Sequence, residues 1–209
     1  MNNKTDKIQN YLNELFPAPV CELNYKNNFE LLVAVILSAQ CTDKRVNIVT
    51  KELFKKYKTP KDFAFLEQEE LEKLIYSCGF YKNKAKYIIS ASKDILERFN
   101  GQVPSTQQQL KSLSGVGQKT ANVVYSVGFG GDAIAVDTHV FRVSHRLNLS
   151  TEKDPTKVEQ DLCKIFKKKD WGKLHYQFVL FGRYKCKSQR PDCKDCKLKD
   201  ICSYYKLKG

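Results

Sequence analysis

Along most of this chain apolar residues recur at spacings of three and four, the period of a helix face. From Lys7 to Phe16 they fall at Ile8, Tyr11, Leu12, Leu15 and Phe16, and Pro17 and Pro19 end the run. From Phe29 to Ala39 nearly every position is apolar. That predicts a helix buried all round, although the run alone also suits a buried strand. Gln40-Cys41-Thr42-Asp43 interrupts it, and Thr42 is placed to cap a helix carrying Val46, Val49, Leu53 and Phe54. One amphipathic segment is expected over 61–77. After the turn Cys78-Gly79-Phe80-Tyr81, a basic helix should run from Asn83 to Phe99 and stop at Gly101. Ser105 with Gln108 reads as a capping box for a helix ending at Leu113. Further helices are expected after Gly117, after Asp137 or Thr138, from Pro155 to about Lys169, and over Trp171–Gly182. Sustained two-residue alternation is missing, so the fold class is all-α.

Between two of these helices lies Leu113-Ser114-Gly115-Val116-Gly117-Gln118-Lys119-Thr120-Ala121. Its glycines permit a tight turn and let a ligand approach bare backbone. The turn opens a helix, whose free N–H groups and positive dipole end attract an anion. Were that anion a DNA phosphate, Lys119 would be held beside a sugar.

Charge sharpens this reading. The 209 residues carry 36 Lys+Arg against 23 Asp+Glu, a net charge of +13, which suits a polyanionic partner. No apolar run approaches the roughly 18–20 residues of a membrane span, and the N-terminus lacks an apolar signal core. A soluble, intracellular protein is expected.

Eight cysteines remain. Cys21, Cys41, Cys78 and Cys163 are scattered and read as ordinary small residues in a reducing compartment. Cys186, Cys193, Cys196 and Cys202 crowd together, with six, two and five residues between them. Four thiolates can hold zinc or an iron–sulfur cube. Only one CxxC pair exists and the histidines (His139, His145, His175) are dispersed, so a [4Fe-4S] cluster is favoured over zinc. The surrounding loop is basic. Some of its charge would offset the cluster, while Lys187 and Arg190 are placed to grip phosphates.

Taken in order, these motifs resemble the endonuclease III family, the iron–sulfur DNA glycosylases of the helix–hairpin–helix superfamily. The likeness runs through Leu37–Asp43, the Gly115–Ala121 hairpin, Val136-Asp137-Thr138-His139-Val140-Phe141-Arg142-Val143, Phe181-Gly182-Arg183 and the four-cysteine loop. It implies a six-helix barrel over 22–133, and a helical cluster domain made of 1–21 and 134–209. It further implies a monomer of the cytoplasm, with no membrane partner. Its partner would be double-stranded DNA bearing a damaged base or abasic site. Three departures stand out: Ser114 replaces the usual proline, Cys41 a smaller or hydroxylated residue, and Phe80 the usual wedging leucine.

The resemblance assigns roles. The damaged nucleotide must leave the stack. Gln40 fills the gap, Phe80 wedges beside it, and Gly115, Val116 and Gly117 offer backbone to a phosphate. Lys119 attacks C1′. An amine must be uncharged to do so. The positive end of a helix disfavours the ammonium, and partial burial is expected to disfavour it further. Asp137 stabilises charge at C1′ and helps move protons, and it also suits an N-cap. The implied activity is removal of oxidised pyrimidines, then cleavage 3′ to the lesion by β-elimination. Two rivals are a monofunctional glycosylase for mismatched or alkylated bases, and a non-catalytic iron–sulfur DNA-binding protein.

Overall fold

The computed structural model describes residues 3–207, and every regular element among them is helical. In chain order the α-helices are α1 (Asn3–Leu15), α2 (Asn28–Ser38), α3 (Asp43–Lys56), α4 (Pro60–Ala64), α5 (Gln68–Ile75) and α6 (Tyr81–Arg98). There follow α7 (Gln107–Lys111), α8 (Gln118–Phe129), α9 (Thr138–Arg146), α10 (Pro155–Ile165), α11 (Trp171–Leu180) and α12 (Ser203–Lys206). No described helix is long and apolar enough to cross a membrane. The chain divides into two compact units. One is Cys21–Gly131; the other joins the segment through Val20 to the chain from Asp132 onward.

The first unit is built around α2. The ambiguous apolar run is a helix because Asn27 caps it, its side chain accepting from Phe29 N at 3.0 Å and Glu30 N at 2.9 Å. All of Phe29–Leu37 is buried, and α3, α6 and α8 pack around it. Each such fully buried Leu, Val or Ile contributes about 1.5–3 kcal/mol. Thr42 caps α3, accepting from Arg45 N at 3.3 Å. Two expectations are corrected here. The stretch 61–77 is not one helix but α4, α5 and a 3₁₀ turn over Tyr76–Cys78. Thr59 and Asp62 form a capping box that starts α4 early, and the chain breaks at Phe65 before α5 begins. In place of the box expected at Ser105 and Gln108, a simple cap forms one residue later: Thr106 Oγ1 accepts from Gln109 N at 3.3 Å and donates to Gln109 Oε1 at 2.9 Å. Both registers satisfy the motif, and the observed one belongs to the helix that buries Leu110 completely.

In the second unit α1 lays Ile8, Tyr11 and Leu12 into a core shared with Val140 and Val143 of α9, Val158 and Leu162 of α10, and Phe178 of α11. Gln177 is buried, and its Nε2 donates to Asn13 Oδ1 at 3.0 Å and to Phe16 O at 2.9 Å, tying α11 to the end of α1. Beyond α11 the chain does not stop at Gly182. It continues as a π-helical turn, Phe181–Lys185, that delivers Cys186. Such wide turns occur frequently where a helix serves a site.

Candidate active site and metal centre

The hairpin lies between α7 and α8. Val116 N donates to Leu113 O at 3.1 Å, and Gly115 sits at φ +73°. These are the marks of a type II turn with Gly115 at its third position. A Cβ on Gly115 would stand 2.4 Å from Tyr87 Cβ, so both conformation and space demand glycine there. Gly117 differs. Its φ is −82°, and nothing lies within 4 Å of where its Cβ would be. The protein itself does not require glycine at 117; a ligand pressed against that backbone would. Gly117 is also the N-cap of α8 and supplies no side-chain cap, which leaves the first turn to bind water or an anion.

Lys119 stands in that first turn and is exposed. The expected partial burial is therefore not found. The buried face of α8 is made by Ala121, Asn122, Val123 and Val124, and Lys119 lies off it. The protein alone does not desolvate this amine.

Gln40 and Phe80 occupy two further turns of the same unit. Both have left-handed backbones, φ 52° and 47°, in residues with a side chain to strain. Such a conformation costs on the order of 1–3 kcal/mol and clusters at functional positions. Phe80 is 64% exposed, so it is no core aromatic. Gln40 is exposed as well, two residues beyond the end of α2. A residue that the sequence did not single out braces both turns. Lys84 is buried, and its Nζ donates to Leu37 O at 2.8 Å and Cys78 O at 2.6 Å. Burial pulls its ammonium below the ordinary lysine range, against an opposing pull from the nearby Cys41 and Cys78 thiols. Burial likewise pushes the Cys78 thiol up to about 11, as it does Cys163. Cys78 is buried and Cys163 half-buried, in keeping with the reading of the scattered cysteines as ordinary small residues.

In the second unit Asp137 is the N-cap of α9. One oxygen, Oδ1, accepts from both His139 N at 2.9 Å and Val140 N at 2.8 Å. The carboxylate is half-buried, and Oδ2 makes no hydrogen bond among the described residues. Capping and chemistry therefore need not compete. Beside it, His139 Nδ1 takes a contact from Arg142 Nη2 at 3.2 Å, and burial holds the imidazole below its ordinary range. The Asp137 carboxylate pulls the other way.

Cys186, Cys193, Cys196 and Cys202 line one cavity, together with the apolar Leu147, Phe181 and Leu198 and the charged Lys185, Asp192 and Lys199. Among the described residues no three His, Cys, Asp or Glu side chains are grouped to hold a single ion. Four thiols lining one cavity can hold zinc or an iron–sulfur cluster. Arg146 holds the first of them. Its Nη1 donates to Cys186 Sγ at 3.3 Å and Lys187 O at 2.7 Å, its Nη2 to Ser188 O at 3.1 Å, and it stacks on Tyr204 at 3.9 Å. Arg142 adds bonds to Gly182 O at 2.6 Å and Cys186 O at 3.2 Å. Burial raises the Cys186 thiol, and the Arg146 guanidinium pulls it back down. Compensating charge therefore comes from α9 as well as from the loop's own lysines. Among the latter, Lys185 pairs with Asp192 at 2.7 Å and Lys197 with Glu14 at 2.7 Å. Lys187 and Arg190 are exposed and hold no ion pair among the described residues.

Known proteins match this geometry. A model of the HhH-GPD superfamily, described as base excision DNA repair proteins, matches residues 33–168. Endonuclease III of Bacillus subtilis (strain 168) is 52% identical over 192 residues, 91% of this chain and 88% of that one. Endonuclease III of Escherichia coli (strain K12) is 40% identical over 204 residues, 97% of each chain. The structure of a trapped endonuclease III–DNA covalent intermediate, an estranged-adenine complex, aligns with a TM-score of 0.94 at 46% identity, covering 100% of this chain and 99% of that one. The all-helical glycosylase fold follows from the same alignment, and the chain belongs to the endonuclease III family of the HhH-GPD superfamily.

Proposed function

We propose that Lys119 is the nucleophile and Asp137 the assisting carboxylate of a bifunctional base-excision enzyme. As an endonuclease III, the protein is a DNA glycosylase and abasic-site lyase for oxidised pyrimidines. The observation that carries the assignment is an exposed lysine in the first turn of α8, behind a glycine whose backbone is open on one side. The relative described as a trapped covalent intermediate with DNA supports an attacking amine. In this reading the amine forms a bond to C1′ while the damaged base departs with its bonding electrons and a proton. The ring-opened Schiff base that results acidifies C2′. Loss of that proton expels the 3′ phosphate, and water later frees the lysine. DNA would supply the desolvation that the exposed side chain lacks in the free protein. Asp137 Oδ2 would offset positive charge developing at the sugar, while Oδ1 keeps capping α9. Gln40 and Phe80, held by strained turns, would fill and wedge the space left by the extruded nucleotide.

A [4Fe-4S] cluster held by Cys186, Cys193, Cys196 and Cys202 fits the cavity and its charge environment. Bound there it would supply cross-linking of the loop, and no redox chemistry is needed for the lyase. Cys196→Ser should lower iron content to background and lower Tm, because ligation contributes to folding. Full iron in that variant would contradict the assignment. We read 22–133 as the barrel domain, and 1–21 with 134–209 as the cluster domain. The partner is double-stranded DNA with a damaged base or abasic site, met by a monomer in the cytoplasm. If Lys187 and Arg190 contact phosphates, replacing either by Ala should weaken binding to every sequence alike. Each change should also reduce the slope of log affinity against log salt by about 1. Unchanged slopes would remove both residues from the interface.

The direct test of the function is borohydride trapping across a panel of duplexes carrying oxidised pyrimidines, alkylated bases, mispairs and abasic sites. Adducts should form with oxidised pyrimidines and abasic sites. Base release without trapping would instead favour a monofunctional glycosylase.

A further inference from the structure

We propose that Asp94 is a positioning residue for the reaction, fixing the hairpin turn that Ser114 alone leaves loose. The inference rests on the hairpin being the phosphate cradle.

In a type II turn with glycine at the third position, the second position is best filled by proline, whose ring presets φ and which has no N–H to satisfy. Here that position is Ser114. It presets nothing, and its N–H needs a partner. Asp94 provides one from α6. Its Oδ2 accepts from Ser114 N at 2.8 Å and from Ser114 Oγ at 2.9 Å. One helical turn further along α6, Arg98 donates to Ser112 O at 3.0 Å and Ser112 Oγ at 2.7 Å, and its Nη1 lies 3.9 Å from Asp94 Oδ1. Tyr87, seven residues before Asp94, packs under Gly115. Residues 87, 94 and 98 share one face of α6 by helical period. That face grips the turn at 112, 114 and 115 in succession.

The carboxylate is only 23% exposed, so water competes weakly for it. Bonds to an ionised acceptor are the stronger kind. They fix the residues that lead directly into Gly117 and Lys119. A turn released from α6 would keep its glycines but lose the single backbone geometry that binds an anion, and Lys119 would drift with it.

The experiment compares Asp94→Ala, Asp94→Asn, Gly117→Ala and the double variant Asp94→Ala/Ser114→Pro. The readouts are Kd for a duplex holding an uncleavable abasic-site analogue, the trapping rate at saturating DNA, and Tm. Asp94→Ala should raise Kd about tenfold, the equivalent of one charge-assisted bond. Asp94→Asn, which still accepts but without charge, should fall between it and the parent. Adding Ser114→Pro to Asp94→Ala should return Kd to within about threefold of the parent, since proline presets the turn and has no N–H to satisfy. A fall in Tm with Kd unmoved would overturn the proposal, as would lost binding that Ser114→Pro fails to restore. Gly117→Ala separates the two readings, because its φ and open surroundings let it fold. If it binds DNA like the parent, the cradle itself is wrong. If it binds poorly while Asp94→Ala binds normally, only the role of Asp94 is wrong.

Discussion

Replacing Lys119 by Gln should abolish the borohydride-trapped adduct while leaving the protein folded and able to bind DNA. An amide cannot form an imine, and removal of a nucleophile eliminates the covalent path outright. Lys119 is exposed and off the buried face of α8. Surface changes of this kind alter stability by no more than about 0.5 kcal/mol. Lost activity would therefore not be lost structure. Affinity should fall by little, since the hairpin backbone and the remaining basic residues still meet phosphate. Strand cleavage should drop with trapping, and base release should drop too if the same amine displaces the base. Persistent trapping in Lys119→Gln would transfer the chemistry to another amine. Loss of DNA binding with no change in the chemistry of the bound fraction would make Lys119 a phosphate contact only.

Asp137 gives the second large effect, and its two oxygens make the result interpretable. Asn is as good an N-cap as Asp, so Asp137→Asn should keep the bonds to His139 N and Val140 N, with stability close to the parent. Asp137→Ala loses the cap and should cost about 0.5–2 kcal/mol. Both variants lose the carboxylate, and both should slow base release by about 10²–10⁴-fold. Equal activity loss with unequal stability loss is thus the signature of a carboxylate that caps with one oxygen and reacts with the other. If Asn supports full turnover while Ala does not, Asp137 acts through the helix alone.

How far the sequence disclosed these features depends on the range over which each is determined. Caps and glycine turns are local, so Thr42, Gly115 and Asp137 could be read from neighbouring residues. In the 61–77 stretch the apolar spacing passes smoothly through Phe65, yet the chain leaves the helix there and resumes it only at Gln68. The cap falls at Thr106, one residue past the expected Ser105, because two overlapping registers carry the same motif. The apolar run of α2 suits helix and strand alike, and the Asn27 cap ahead of it marks the helix.

Other residues depend on contacts between distant parts of the chain. Lys84 binds a carbonyl 47 positions away, Asp94 a turn 20 away and Arg146 a cysteine 40 away. Spacing along the chain carries no sign of such partners. The same limit explains Lys119, whose exposure depends on which side of α8 meets the core. The departure at Ser114 was visible in the sequence. Its compensation by Asp94 was not, because only the fold brings α6 beneath the hairpin.

The central claim is that one hairpin amine becomes bonded to the sugar. Peptide mapping by mass spectrometry of the borohydride-reduced complex with abasic-site DNA tests it most directly. The account predicts a nucleotide adduct on Lys119. An adduct on any other amine, such as Lys187 in the cysteine loop, would contradict it.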